Sequence, residues 1–201
     1  MYKRQYLNSV AFVDSQIKDF VQSLKDQGRY DEALIMVTGD HGEEFYEHGS
    51  WFHSSSLEAE QISVPLLIKW PKGVTAPDLK SASHLDILPS LLDYFAESPD
   101  SFSHLPGKSL LSAESEERTQ VIITSRTGVA GISMVWKRGE YTATFRWEEP
   151  WENRFPSVFH LDDISDSNGS LNLSEKEDWI AAVEKYFPDV QDRLFESLNE
   201  K

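Results

Sequence analysis

The chain has 201 residues, with 34 acidic against 19 basic side chains, a formal net charge of −15 and no cysteine. That acidic surplus repels a phosphate backbone and excludes nucleic acid as a partner, although a bound divalent cation can still draw an anionic small molecule into one pocket. The lack of cysteine excludes disulfides, thiolate zinc sites and a cysteine nucleophile within these residues. Hydrophobic residues at 39% and aromatics at 12% supply enough apolar surface for a core, and no apolar run approaches the ~20 residues that cross a bilayer.

In chain order, Tyr6, Val10, Val13, Ile17, Phe20, Val21 and Leu24 recur at three-and-four spacing. This predicts a helix with one buried stripe, ending near Gly28. The residues Met1 to Tyr6 lead into that polar amphipathic pattern instead of into a signal-peptide core. Ala33 to Thr38 is a continuous apolar run, which predicts a strand covered on both faces and a helix feeding a parallel strand. A second run from Ile62 to Trp70 stops at Pro71-Lys-Gly73, and Pro65 sits early in it, where a missing N–H is tolerable. Ser83 then offers an N-cap with Asp86 three residues on, and Leu85, Leu88, Leu91, Leu92 and Phe95 share one helical face. The expected result is a layered α/β core over residues 1–111.

After Pro106-Gly107 the character changes. Short runs at Val121–Thr124, Gly131–Trp136, Tyr141–Trp147 and Val158–Leu161, with Gly139 as a hairpin turn, predict a small antiparallel sheet. Asp162 to Gly169 reads as turn-rich, and Ser174-Glu-Lys-Glu177 opens a final helix to Pro188 and again to Leu198. Residues 112–201 thus form a second unit of small sheet and C-terminal helix.

The chemistry concentrates in Thr38-Gly-Asp-His-Gly-Glu-Glu-Phe-Tyr-Glu-His-Gly-Ser-Trp-Phe-His53, which follows the first strand directly. Ligands of open α/β sheets bind beyond the carboxyl ends of strands. Asp40 and His41, flanked by Gly39 and Gly42, project a carboxylate and an imidazole from one tight turn, and Glu43, Glu44 and Glu47 keep the neighbourhood electronegative. Carboxylate oxygen with imidazole nitrogen suits zinc or manganese, and serves magnesium or calcium mainly through the oxygen.

These residues resemble a family. Thr38 to Glu44, His53 twelve positions after His41, and Glu58 to Pro71 look like the C-terminal half of a sulfatase-type catalytic domain in the sulfatase and alkaline phosphatase superfamily. Ser83 to Leu92, Leu105-Pro-Gly-Lys-Ser-Leu110, and Phe159 to Ile164 with Asn172-Leu173 are similar to later family segments in the same order. The resemblance implies an alkaline-phosphatase-like layered α/β fold and attack on a sulfate or phosphate ester assisted by a divalent metal (Ca, Mg, Zn or Mn). Carried over, Asp40 and His41 are metal ligands. His53 matches a position that, in phosphoethanolamine-transferase-like and phosphatase-like members, binds a second metal or the substrate's anionic group, so it is the catalytic candidate.

The family nucleophile lies in an N-terminal segment that has no counterpart before Asp40. The expectation is a truncated chain, or one completed by a partner polypeptide, that is inactive alone. Hydrolysis of a sulfate ester is the leading function; phosphoryl transfer or hydrolysis, or a non-catalytic binding module, are the alternatives. Many calcium-binding sulfatases carry Asp-Asn where this chain has Asp40-His41, and the imidazole favours zinc or manganese and phosphoryl chemistry. The resemblance also implies an extracytoplasmic site, periplasmic or secreted, with membrane tethering through an upstream segment. Among the other histidines, His48 reads as an exposed loop residue, His84 as a cap or surface residue, and His104 and His160 as structural. Trp136, Trp147 and Trp151 read as the packed face of the sheet and not as a carbohydrate platform. Asn168-Gly-Ser and Asn172-Leu-Ser fit the N-glycosylation pattern, which matters only in a eukaryotic secretory pathway.

Overall fold

A computed structural model describes residues 2–78, 81–95, 98–112, 119–123, 132, 134–147, 159–174 and 176–189. The chain opens with a long helix α1 (Tyr2–Asp26), then β1 (Ile35–Thr38), a short hairpin of β2 (Glu44–Phe45) and β3 (Trp51–Phe52), one turn of helix α2 (Ala59–Ile62) and β4 (Leu66–Lys69). A 3₁₀ turn at His84–Asp86 runs into α3 (Ile87–Tyr94), followed by α4 (Pro99–Phe102). The second part is a five-stranded meander of β5 (Gln120–Ile123), β6 (Met134–Arg138), β7 (Tyr141–Trp147), β8 (Phe159–Asp166) and β9 (Gly169–Ser170), closed by α5 (Lys176–Tyr186).

α1, β1, β4 and α3 stand where the apolar periodicity puts them, but the strand pairing differs from the expectation. β1 and β4 are antiparallel, with Ile35 opposite Lys69 and Thr38 opposite Leu66, and every strand pair among the described residues is antiparallel. The chain turns back after β1 through the hairpin and α2, so β4 returns alongside its own partner. Lys69 fixes that return. Its ammonium donates to the carbonyls of Tyr30, Asp31 (3.2 Å) and Ala33 (2.9 Å) and lies 4.5 Å from the Tyr30 ring centroid. The Lys72 amide also donates to the Asp31 carbonyl, at 2.7 Å.

The two strands are half-buried instead of covered on both faces, and Leu67 is exposed. α1 buries no residue: Tyr6, Ile17, Val21 and Leu24 of the expected stripe are half-buried, while Val10, Val13 and Phe20 face solvent. Periodicity identifies the apolar side of a helix, but burial requires an opposing surface, and among the described residues none extends along α1's middle. The first turn of α1 does find one. Tyr2 packs on Phe45, Trp51 and Phe52 with ring centroids 5.6, 6.3 and 4.9 Å away, and Tyr6 lies 5.0 Å from Phe45.

α3 inverts the expectation in a similar way. Leu85, Leu88 and Phe95 are exposed, and Leu91 and Leu92 are half-buried. The buried residues are Asp86, Pro89 and Ser90. Hydrogen bonds account for the two polar ones. The Ser83 amide donates to Asp86 Oδ2 at 2.8 Å, the Lys108 amide to Asp86 Oδ1 at 2.9 Å, and the Leu110 amide to Ser90 Oγ at 2.8 Å. A buried polar group costs little once so satisfied, and the 105–110 loop is thereby stitched across the helix. Gly107 is required there: a Cβ would stand 1.8 Å from the Leu85 carbonyl oxygen.

The principal core lies between the meander and α5. Met134, Trp136, Ala143, Phe145 and Ile164 meet Ala182, Val183 and Phe187. The Trp136 ring stands 4.7 Å from Phe145 and 5.8 Å from Phe187. Trp136 is thus core, as its place in the sheet predicted; Trp151, the surroundings of Trp147 and the helix beyond Asp189 lie outside the described residues. β8 extends to Asp166, through acidic residues expected to form turns. The register against β7 slips by one residue, from Phe145↔Leu161 to Thr144↔Asp163, so Asp162 is the extra residue and Ile164 enters the core opposite Ala143. Asp162 pairs instead with Arg146. The two parts touch through the Leu57 amide and Ile132 carbonyl, 3.3 Å apart, and through Lys137 Nζ and Ser63 Oγ, 3.5 Å apart. Among the described residues, no helix is long and apolar enough to cross a membrane.

Candidate functional site

β1 ends at Thr38, and Asp40 and His41 follow on the turn beyond its carboxyl end. The turn is built on Gly42, whose amide donates to the Gln61 carbonyl at 2.8 Å; a Cβ at this position would lie 1.9 Å from the Glu60 carbonyl oxygen. Only glycine lets the turn pass so close to α2. The Asp40 side chain is 90% exposed, and its Oδ2 stands 3.6 Å from His41 Nε2. Amide donation from the backbone of Asp40 and of His41, whose N–H reaches Oδ1 at 3.0 Å, holds the Asp40 carboxyl below the ordinary aspartate range. The imidazoles of His41 and His53 add to that shift.

The excursion from Gly42 to Phe52 folds back and brings His53 onto His41, with ring centroids 3.8 Å apart and planes inclined by 33°. Its backbone is unusual: Tyr46, Phe52 and Ser54 all adopt positive φ, at 79°, 73° and 63°. Each such residue costs on the order of 1 kcal/mol or more unless its surroundings impose it. Glu44 imposes it. This carboxylate is fully buried, accepting from the amides of His48 (3.0 Å) and Ser50 (3.1 Å) at one oxygen and from Gln61 Nε2 (2.6 Å) at the other. Burial alone would raise its pKa, but these donors outweigh burial and lower it. Gln61 is itself fixed, its carbonyl oxygen accepting from the amides of Ser55 and Ser56.

Two residues read as marginal in the sequence have defined partners. His84, at the start of the 3₁₀ turn, places Nε2 2.8 Å from the Gly39 carbonyl and 3.4 Å from Thr38 Oγ1, bracing the strand end that carries Asp40. His48 is an exposed loop histidine whose Nε2 meets Glu60 Oε2 at 3.0 Å. Its approach to Glu58 and Glu60 gathers three donors within 4.8 Å of one another. Lys137, whose pKa is lowered by burial and partly restored by Glu60, brings a competing positive charge to that cluster. The sequence presents Glu43 and Glu44 only as local negative charge and does not single out Gln61, because no periodicity or spacing distinguishes a buried acceptor from a solvated glutamate.

The donor set can be tested for fit. Two ligands about 2.0–2.1 Å from a tetrahedral ion stand about 3.4 Å apart, close to the 3.6 Å between Asp40 and His41. His41 Nδ1 lies 2.8 Å from the Gly42 carbonyl, which can only accept, so the neutral ring carries its proton there and keeps its Nε2 lone pair toward Asp40. The pair fits a divalent cation. His53 stacks beside it, but Asp40, His41 and His53 do not gather three donor atoms within the same 4.8 Å.

The mixed helix-and-sheet frame matches part of an alkaline-phosphatase-like fold. A protein solved in complex with its substrate D-glucosamine-2-N,6-O-disulfate superposes with a TM-score of 0.61 at 15% identity, covering 96% of this chain and 40% of that one, a likeness of fold. Residues 2–97 match the Sulfatase family. Over 95 residues the chain is 35% identical to an N-acetylglucosamine-6-O-sulfatase of Bacteroides thetaiotaomicron, covering 46% of this chain and 17% of the relative. A choline-sulfatase of Rhizobium meliloti is 30% identical over 91 residues, covering 45% and 18%. Residues 2–97 are thus similar to part of a sulfatase domain. The chain spans well under half the length of these relatives.

Proposed function

We propose that this chain is the metal-ligand-bearing part of a sulfuric ester hydrolase, working with a nucleophile held outside these residues. The observation that carries the reading is the Asp40–His41 pair at the end of β1 with the His53 ring stacked on His41. Asp40 and His41 would hold the divalent cation, which when bound polarises the ester and steadies the attacking oxyanion. His53 stands one ring away, placed to stabilise charge on the transferred group. The three donor atoms do not gather within 4.8 Å of one another, which favours this role, or a second cation, over a share in the first. The depressed Asp40 carboxyl keeps that ligand ionised well below neutral pH. An extracytoplasmic location belongs to the same proposal.

The second reading, phosphoryl transfer, is favoured by the imidazole donor of His41, since nitrogen ligands suit zinc and manganese better than calcium. One experiment separates the readings. In the complete enzyme, 4-nitrophenyl sulfate should turn over faster than 4-nitrophenyl phosphate, and His53→Ala should lower the favoured rate roughly a hundredfold. The 201-residue chain alone should show no more than trace turnover of either ester. Faster phosphate turnover selects the second reading, and binding without turnover in the complete protein selects a non-catalytic module.

A further inference from the structure

The His53 imidazole has a partner that neither the family match nor the donor set assigns. Its Nδ1 lies 3.3 Å from Glu43 Oε1, and the Glu43 side chain is only 11% exposed. Glu43 also accepts a hydrogen bond from the Tyr2 hydroxyl of α1, whose pKa is raised by burial, then by the Glu43 charge and by that bond. Tyr2 in turn is wedged among Phe45, Trp51 and Phe52, the aromatic side chains of the same hairpin. The first turn of α1, Glu43 and His53 are thus linked in series.

We infer that Glu43 is a positioning residue that fixes the neutral His53 ring with its proton on Nδ1 and its Nε2 lone pair free. The chemistry requires this pairing: an ionised carboxylate can only accept, so a neutral imidazole facing it must present N–H at the facing nitrogen. His41 is set the same way by the Gly42 carbonyl. Two adjacent imidazoles, 3.8 Å apart, therefore both keep Nε2 unprotonated. A cation or an electrophilic centre needs that state, and a free histidine, which prefers the proton on Nε2, does not supply it. The protein partner of the distal nitrogen sets the tautomer, and losing such a partner typically costs about 10–100-fold in metal affinity. The use made of the free Nε2 rests on the reading given under Proposed function; the tautomer does not.

The test is long-range ¹H–¹⁵N correlation spectroscopy on the ¹⁵N-labelled 201-residue chain at about pH 8.5, about two units above the ordinary imidazole value. His53 is assigned by the cross-peaks lost in His53→Gln. The expected spectrum has protonated Nδ1 and unprotonated Nε2 at His53. In Glu43→Leu, which fills the same space, His53 should change to the Nε2–H form while the backbone amide spectrum stays dispersed. A wild-type His53 protonated on Nε2 overturns the inference whatever the variants do, and so does a folded Glu43→Leu chain that keeps the wild-type tautomer. Titration with zinc(II) alone separates the two levels. If the His53 tautomer is as expected but zinc perturbs neither His41 nor His53, the metal reading fails and the role of Glu43 stands.

Discussion

Glu44→Gln replaces a buried carboxylate by its neutral isostere, and the structure fixes what is lost. One Glu44 oxygen accepts from the amides of His48 and Ser50, the other from Gln61 Nε2. The new amide keeps one acceptor. If that acceptor stays toward the two backbone amides, its NH₂ group confronts the NH₂ of Gln61. Gln61 cannot turn to relieve the clash, because its carbonyl oxygen accepts from Ser55 and Ser56, at 3.1 and 3.2 Å, and its nitrogen also donates to Ser55 Oγ at 2.7 Å. At least one hydrogen bond to a charged group is therefore lost, and a buried donor is left unpaired, at a cost of about 2–3 kcal/mol. For a chain of this size that lowers Tm by roughly 4–12 °C. The sign of the pH dependence follows from the lowered Glu44 pKa. Its stabilisation is complete above the unfolded carboxyl value of about 4.3 and disappears as pH falls through the lower folded value. The wild-type advantage should therefore be full near pH 7 and shrink as acid protonates Glu44 itself. Urea titrations of both proteins at pH 7 and below pH 4 measure it. A difference under about 0.5 kcal/mol at pH 7, or one that grows in acid, would refute the reasoning.

Three further outcomes follow from other contacts. Gly42→Ala forces a Cβ onto the Glu60 carbonyl oxygen at 1.9 Å, and should cost about 1–3 kcal/mol or more while moving His53 away from His41; an unchanged melting temperature would contradict the close approach. Asp40→Ala in the complete enzyme should weaken zinc or manganese binding with little change in Tm, since this side chain is exposed, and calorimetry with the metal alone checks both. Trp136→Ala should destabilise the C-terminal sheet by about 3–5 kcal/mol, because its ring is enclosed by Phe145 and Phe187; a loss below about 1 kcal/mol in urea would show a looser core.

The sequence by itself determined α1, β1, β4 and α3, because each has a period or an uninterrupted apolar run that any fold must respect. It determined the order of the meander, since Gly139 leaves little choice but a turn between two strands. It also determined where chemistry could occur, because Asp40 and His41 between two glycines follow a strand and can only emerge at its end. The tertiary structure decided the rest. Whether β1 met a parallel or an antiparallel neighbour depended on the path of the hairpin and α2 and on Lys69 binding three distant carbonyls. Which face of α1 and α3 is covered depended on surfaces elsewhere in the chain, and hydrogen bonds to Asp86 and Ser90 buried polar positions against the apolar pattern. The placement of His53 on His41 is decided likewise by Glu44 and Gln61, 17 residues apart in sequence. Periodicity reports one side chain's preference for water or for oil, whereas a buried carboxylate is stable only through donors that arrive from other segments, and those donors exist only in the folded chain.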